Sequence, residues 1–115
     1  MKRGAASDKS FAFAVEIVKV CRALGEEKHE YVLSRQLLKS GTAIGALIRE
    51  AQEAESKPDF IHKMAIALKE SRETEYWLDL LHQSDLLSVS SFQLLSNSNS
   101  ELTRLLTSIL KTSKQ

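Results

Sequence analysis

Three histidines, one cysteine and the acid at the head of the third helical segment are the first places to look for chemistry in this sequence. His29, His62 and His82 stand too far apart for a paired metal motif, and the paired Glu-x-x-His motifs of bundle di-iron sites are missing. Asp59 and His62 are three apart at a helix start, where capping accounts for Asp59. Serines and threonines are many, but no neighbouring base nominates one as an activated nucleophile. Cys21 is the single cysteine, so no intrachain disulfide framework or multi-cysteine metal site can form. It falls on the apolar stripe of its segment, where a thiol behaves as a small buried hydrophobe. The expectation is a protein without catalytic site, metal or cofactor, suited to a reducing cytoplasm.

Binding chemistry has more support. Arg35, Lys39 and Arg49, with Thr42 between, form a basic row on the outer side of the second helical segment. Such a row is ordinary solvated helix surface in a monomer. Repeated around an oligomer, it can hold RNA or DNA through many phosphate contacts. Glu50 and Glu53 dilute it, and the net charge of +1 gives no global footprint for nucleic acid. The third segment carries a second apolar group. On a helical wheel Ile66, Trp77 and Leu80 cluster nearly opposite the core stripe, with Glu70 and Glu73 beside them. Two readings follow: a broad flank of the core with Trp77 partly at the surface, or a subunit contact anchored by tryptophan. Gly41 and Gly45 stand four apart inside the second segment. Each costs roughly 1 kcal/mol against alanine in a helix, which a close helix–helix approach explains. A phosphate-binding loop does not, since no strand precedes and no Gly-Lys-Ser/Thr follows.

These residues sit on helices. One proline, four glycines and the absence of alternating apolar–polar runs leave strands without support. Helical periodicity appears four times. The first helix is expected over about 8–25 on Phe13, Ile17, Val20, Cys21 and Leu24, capped by Ser7 or Ser10 and stopped at Gly25. The second spans about 31–55 on Leu33, Leu37, Ser40, Ile44, Leu47, Ile48 and Ala51. Ser56-Lys57-Pro58-Asp59 separates it from the third, about 58–83, on Phe60, Met64, Ala67, Leu68, Ser71, Thr74, Leu78 and Leu81. The fourth, about 90–111, runs on Phe92, Leu95, Leu102, Leu106, Ile109 and Leu110. Its middle, Ser96-Asn97-Ser98-Asn99-Ser100, is built from poor helix formers, so it is expected to be the least stable helix and open to interruption there. Short connections between long amphipathic helices imply an all-α, antiparallel up-and-down four-helix bundle, one domain over 1–115. No apolar run approaches the roughly 20 residues of a membrane span, and charge recurs too soon after Lys2 and Arg3 for a secretory signal.

Two long stretches carry a resemblance. The first is Tyr31-Val32-Leu33-Ser34-Arg35-Gln36-Leu37-Leu38-Lys39-Ser40-Gly41-Thr42-Ala43-Ile44-Gly45-Ala46 with Ile48-Arg49-Glu50-Ala51-Gln52. The second is Asp59-Phe60-Ile61-His62-Lys63-Met64 leading to Ile66-Ala67-Leu68-Lys69-Glu70-Ser71-Arg72-Glu73-Thr74-Glu75-Tyr76-Trp77-Leu78. Together they resemble the bacterial four-helix-bundle family named for intervening sequences in 23S ribosomal RNA genes, over nearly the whole chain. The resemblance implies an up-and-down bundle and a homopentameric ring. The chain also looks like the accessory protein of diversity-generating retroelements, a strongly basic pentameric bundle that binds reverse transcriptase and nucleic acid. This chain departs from both. It is not strongly basic, Leu47 replaces a usual asparagine, implying a drier contact along the second helix, and the Ser/Asn run replaces a usually charged stretch. The function these observations imply is non-enzymatic: a cytoplasmic ring that presents a repeated surface to RNA or a nucleic-acid-associated protein, with a protein–protein scaffold as the competing class.

Overall fold

The computed structural model describes residues 4–114; the basic start at Lys2 and Arg3 lies outside them. Four helices follow in order: α1 (Ala5–Lys28), α2 (Val32–Gln52), α3 (Lys57–Gln83) and α4 (Val89–Ser113). Each packs on the next in sequence and α4 returns to α1, while the backbones of the diagonal pairs stay apart among the described residues. With such short connections this is an up-and-down square bundle, 45 × 22 × 21 Å. No described helix is long and apolar enough to cross a membrane.

The core follows the expected stripes. Phe13, Ile17 and Leu24 from α1 meet Leu37, Ile44, Ile48 and Ala51 from α2, with Met64, Ala67, Leu78 and Leu81 from α3 and Leu95, Leu102, Leu106 and Leu110 from α4. The glycines of α2 do bring a neighbour close. A Cβ on Gly41 would stand 2.9 Å from Ile17 Cγ1, and one on Gly45 would stand 3.3 Å from the Ser10 carbonyl oxygen. Both contacts are to α1, so Gly41 and Gly45 set the α1–α2 approach.

Helix ends differ from the expectation in ways that have local causes. Ser7 and Ser10 do not cap α1: both are buried inside it, and Gly4 is the N-cap. Gly25 does not stop α1 either. It lies inside the helix, where a Cβ would come 2.7 Å from the Tyr31 ring. The helix ends three residues later at Lys28, and the next residue, His29, with a left-handed φ of 54°, turns its N–H to the Gly25 carbonyl. Glu30 then starts α2, its carboxylate accepting from the Leu33 and Ser34 N–H groups. That helix stops at Gln52, earlier than expected, with Glu53 and Ala54 N–H groups bonded to the carbonyls of Glu50 and Ala51. Ser56 caps α3 through the Asp59 N–H, and the Asp59 carboxylate accepts from Glu55, a reciprocal pair. At its other end Asp85 takes φ 61°, and Leu86 N–H reaches back to the Leu81 carbonyl, a Schellman turn made without glycine.

The Ser/Asn run does not interrupt α4. Asn99 is buried and bonds α3 twice: its amide donates to the Ser71 carbonyl (2.9 Å) and its Oδ1 accepts from the Ser71 hydroxyl (3.0 Å). Thr103 Oγ1 lies 2.6 Å from the same hydroxyl. On the other side of α3, Thr74 donates to Ser40 of α2 at 3.0 Å. A polar layer thus crosses α2, α3 and α4 inside the core, with its side chains satisfied.

Two predictions follow from these contacts. His29→Gly and Asp85→Gly each remove the cost of a side chain in the left-handed region, so each raises stability by about 0.5–1 kcal/mol, read as a higher denaturation midpoint. Asn99→Ala loses both bonds to Ser71 and leaves a void, which lowers stability by about 2–3 kcal/mol at unchanged helix content.

Candidate interaction surfaces

A side chain free to meet a partner must lie outside the four helix–helix seams. The basic row divides under this test. Arg35 lines a shallow groove of about 310 Å³ between α1 and α2, with Val18, Cys21, Arg22, Tyr31 and Leu38. Arg49 lies ~21 Å further along the same helix, its guanidinium carbon 4.8 Å from the centre of the Phe11 ring. Lys39 turns the other way, where its charge acts on Glu70 of α3. Arg35 and Arg49 therefore belong to the α1–α2 side, and Lys39 to the α2–α3 side.

The α1–α2 side carries a surface that one stripe per helix does not reveal. Phe11, Val15 and Val18 are exposed at spacings of four and three, a second apolar line on α1, and Leu38 and Tyr31 join them from α2. Phe11 is 53% exposed and Tyr31 57% exposed, a large open area for two aromatic rings on one face. Arg22 extends the line by another turn. The sequence signal was the i, i+4, i+7, i+11 spacing of Phe11, Val15, Val18 and Arg22, parallel to the core stripe of the same helix. Cys21 lies at the base of the groove, its thiol donating to the Ser34 carbonyl at 3.3 Å, and burial pushes it up to about 11. It is a protonated thiol at neutral pH.

The second apolar group of α3 is not opposite the core. Ile66, Glu70, Glu73, Trp77 and Leu80 share one line on the helix, but that line stands roughly 110° from the buried one, on the flank toward α2. Ile66, Trp77 and Leu80 are half-buried, and Trp77 packs on the core. The correction has a simple cause: α3 is covered by α2 on one side and α4 on the other, and a wheel of one helix does not say which shoulder a neighbour covers. The outer edge of this shoulder remains open. The Trp77 indole donates to Glu73 at 3.2 Å, and Tyr76, 59% exposed, meets Trp77 edge-to-face at 5.0 Å. Burial, then the charge of Glu73, holds the Glu70 carboxyl above the usual range, while Lys39 and Lys69 oppose the shift.

The histidines do not converge. His29 is the left-handed cap of α1, His82 stacks on Phe92 at 4.1 Å, and His62 lies near the other end of α3. Among the described residues no group of three or more His, Cys, Asp or Glu side chains is placed to hold a metal ion. The bundle thus has two open faces that meet along α2: an arginine-rimmed aliphatic one toward α1, and an acidic aromatic one toward α3.

Comparison with known proteins agrees with the fold. The profile of the 23S rRNA-intervening sequence protein family matches residues 4–108. A crystal structure of a protein with unknown function from the S23 ribosomal protein family of Bacteroides thetaiotaomicron VPI-5482 is 48% identical, covers 93% of this chain and 99% of its own, and superposes with a TM-score of 0.92. No functionally curated protein matches the chain. On the family profile and this structural likeness, the chain belongs to the 23S rRNA-intervening sequence protein family.

Proposed function

We propose that this protein is a non-catalytic ring subunit that presents a repeated basic ridge to RNA or to a nucleoprotein. The observation that carries the reading is the pair of unlike open faces flanking α2. The α1–α2 face offers Phe11, Val15, Val18 and Leu38 rimmed by Arg22, Arg35 and Arg49. The α2–α3 face offers Tyr76 and the edge of Trp77 with Glu70 and Glu73. They complement each other in charge and both carry apolar area, so the first face of one copy fits the second face of the next. Unlike faces joined head to tail close a ring when the angle between them suits the copy number. Adjacent sides of a square bundle enclose about 90°, which closes about four copies, and narrowing that wedge to about 72° closes about five. The homopentamer implied by the family resemblance lies within that range. A guanidinium from the next copy would also relieve the strained ionisation of Glu70.

In such a ring the edge shared by the two contact faces points to the axis. That edge is the outer ridge of α2, with Arg35 on one flank, Lys39 on the other, and Thr42 between. Each copy repeats the ridge, so a thin basic patch on a chain of net charge +1 becomes a ring of positive charge. Glu50 and Glu53 offset it toward the α2 C-terminus, so the phosphate-binding end is that of Arg35 and Lys39. The free, half-buried thiol of Cys21 suits a reducing cytoplasm. The competing reading is a protein–protein scaffold. Its support is the composition of the α1–α2 face, aromatic and arginine side chains around an aliphatic centre, which is also typical of protein contacts.

Light scattering tests the ring. The expected mass is several times the 12.9 kDa of one chain, falling for Trp77→Ala and for Val15→Glu; a monomer at micromolar concentration sinks the proposal. For the ridge, fluorescence anisotropy with a labelled structured RNA should show binding at low salt that weakens steeply as salt rises. Arg35→Glu with Lys39→Glu should weaken it about tenfold or more; because Arg35 also rims the α1–α2 face, the comparison is made on the fraction of the variant that keeps the assembled mass. An intact ring that binds no RNA at low salt favours the scaffold.

A further inference from the structure

The outer face between α3 and α4 gathers cations that no acid answers. On α4, Ser100, Arg104, Thr107, Lys111 and Lys114 follow at spacings of four, three, four and three, a continuous line along the helix. Ser71 of α3 bonds Asn99 and Thr103, which fixes the seam, and the line runs along its outer side. On α3 the shoulder toward α4 runs from Lys57 to Arg72. The two helices are antiparallel, so Lys57 at the start of α3 meets Lys114 beyond the end of α4, and Arg72 stands level with Ser100. Lys57, Arg72, Arg104, Lys111 and Lys114 are all exposed, and none makes an ion pair among the described residues.

The acids nearby are engaged or lie elsewhere. Glu101, the one acid of α4, is held by Lys9 on the α1 side. Asp59 accepts from the Glu55 N–H at the head of α3, and Glu70 is on the shoulder toward α2 with Lys69 acting on it. Glu75 and Asp79 come only after Arg72, where the patch ends. The helix dipole accounts for part of the row: Lys111 and Lys114 stand at the α4 C-terminus, where a cation is favoured. It does not account for Arg104 or Arg72, and it disfavours Lys57, the first residue of α3.

We propose that this face docks the phosphate backbone of duplex nucleic acid. It offers two rows of cations on neighbouring helices, about 10 Å apart, over about 21 Å of helix length. No large apolar side chain is exposed on it: Phe11, Tyr31 and Tyr76 all lie outside, and Ile61 and Leu68 pack on the core. Nothing is therefore present to stack on unpaired bases or to enter a lipid surface. Contacts of this kind hold a duplex without reading its sequence.

The inference does not rest on the ring, since the face belongs to one chain and lies clear of both faces proposed for assembly. Its test is fluorescence anisotropy of the full chain with a labelled RNA stem–loop, a single-stranded oligouridylate of the same length, and anionic phosphatidylserine vesicles. The stem–loop should bind at low salt, with log affinity falling against log salt at a slope of about −3 to −4. Arg104→Gln with Lys111→Gln should weaken binding at least about tenfold and reduce the slope by about two. Melting temperature and assembled mass should stay as in the parent. The same loss in a variant that is monomeric supports the docking face while sinking the ring. Parental affinity and slope in the double variant overturn the proposal, even where the ring is intact. So do tighter binding of the single strand, binding to the vesicles alone, or no binding to the stem–loop at low salt.

Discussion

The approach of α2 to α1 at Gly41 and Gly45 is the constraint on which the rest of the bundle depends. Ile17, fully buried, fills the space a Cβ on Gly41 would occupy, and the backbone of Ser10 lies against Gly45. A glycine in mid-helix weakens the helix by roughly 1 kcal/mol, and two of them on one side are retained where the gain is packing. Phe13 and Ile17 go to the core, while Phe11, Val15 and Val18, a separate line roughly 150° round the same helix, emerge on the outer side beside Leu38. The tight seam brings that line next to α2, and the arginines of the open face come from the same two helices.

A second device fixes register where the first does not reach. An apolar core of leucines permits helices to slide or rotate with little penalty, and buried polar groups restrict such alternatives only when every partner is met. Here Ser40, Thr74, Ser71, Asn99 and Thr103 form two short chains of hydrogen bonds on either side of α3. They tie α3 to α2 and to α4 at defined heights. The register of α3 against α2 decides which side chains share the outer shoulder, so this layer places Glu70 and Trp77 relative to Lys39.

Much of this was legible in the sequence, and the rest was hidden for physical reasons. The four helices and nearly all core positions follow from spacing alone, because burial on one side of a helix repeats every three or four residues. The continuity of α4 was not legible. Ser96, Asn97, Ser98, Asn99 and Ser100 have weak helix propensity, and what overrides it is a tertiary bond between Asn99 and Ser71, 28 residues away. The end of α1 falls beyond the expected Gly25 because an unusual residue, His29 in the left-handed region, does the capping; the end of α3 at Gln83 falls where the spacing puts it. Whether Trp77 is a flank of the core or a subunit contact depends on which neighbour covers which shoulder, and a wheel of one helix does not show that. The Gly41–Gly45 spacing signals a close approach by itself, whereas the exposed line on α1 does not show when the helix is given a single stripe.

The four seams are not equivalent, and their differences bear on where the molecule can open. The α1–α2 seam is locked by glycine packing, and the two seams of α3 by buried hydrogen bonds. Between α1 and α4 the polar tie among the described residues is one ion pair, Lys9 with Glu101 at 2.8 Å, both side chains nearly half exposed. An exposed, solvent-screened pair of this kind adds little to stability. Pockets open along or at the ends of this seam: one at the α3–α4 turn beside Val20 and Leu24, one beside Lys9 and Phe13, and one at the first turn of α1. With the weakest helix formers of the chain on its α4 side, this seam holds the fewest restraints against local separation. The two faces proposed for assembly lie on the far side of it, along α2, where the bundle is most firmly held. A ring built there would leave the α1–α4 seam on its outer wall, facing solvent.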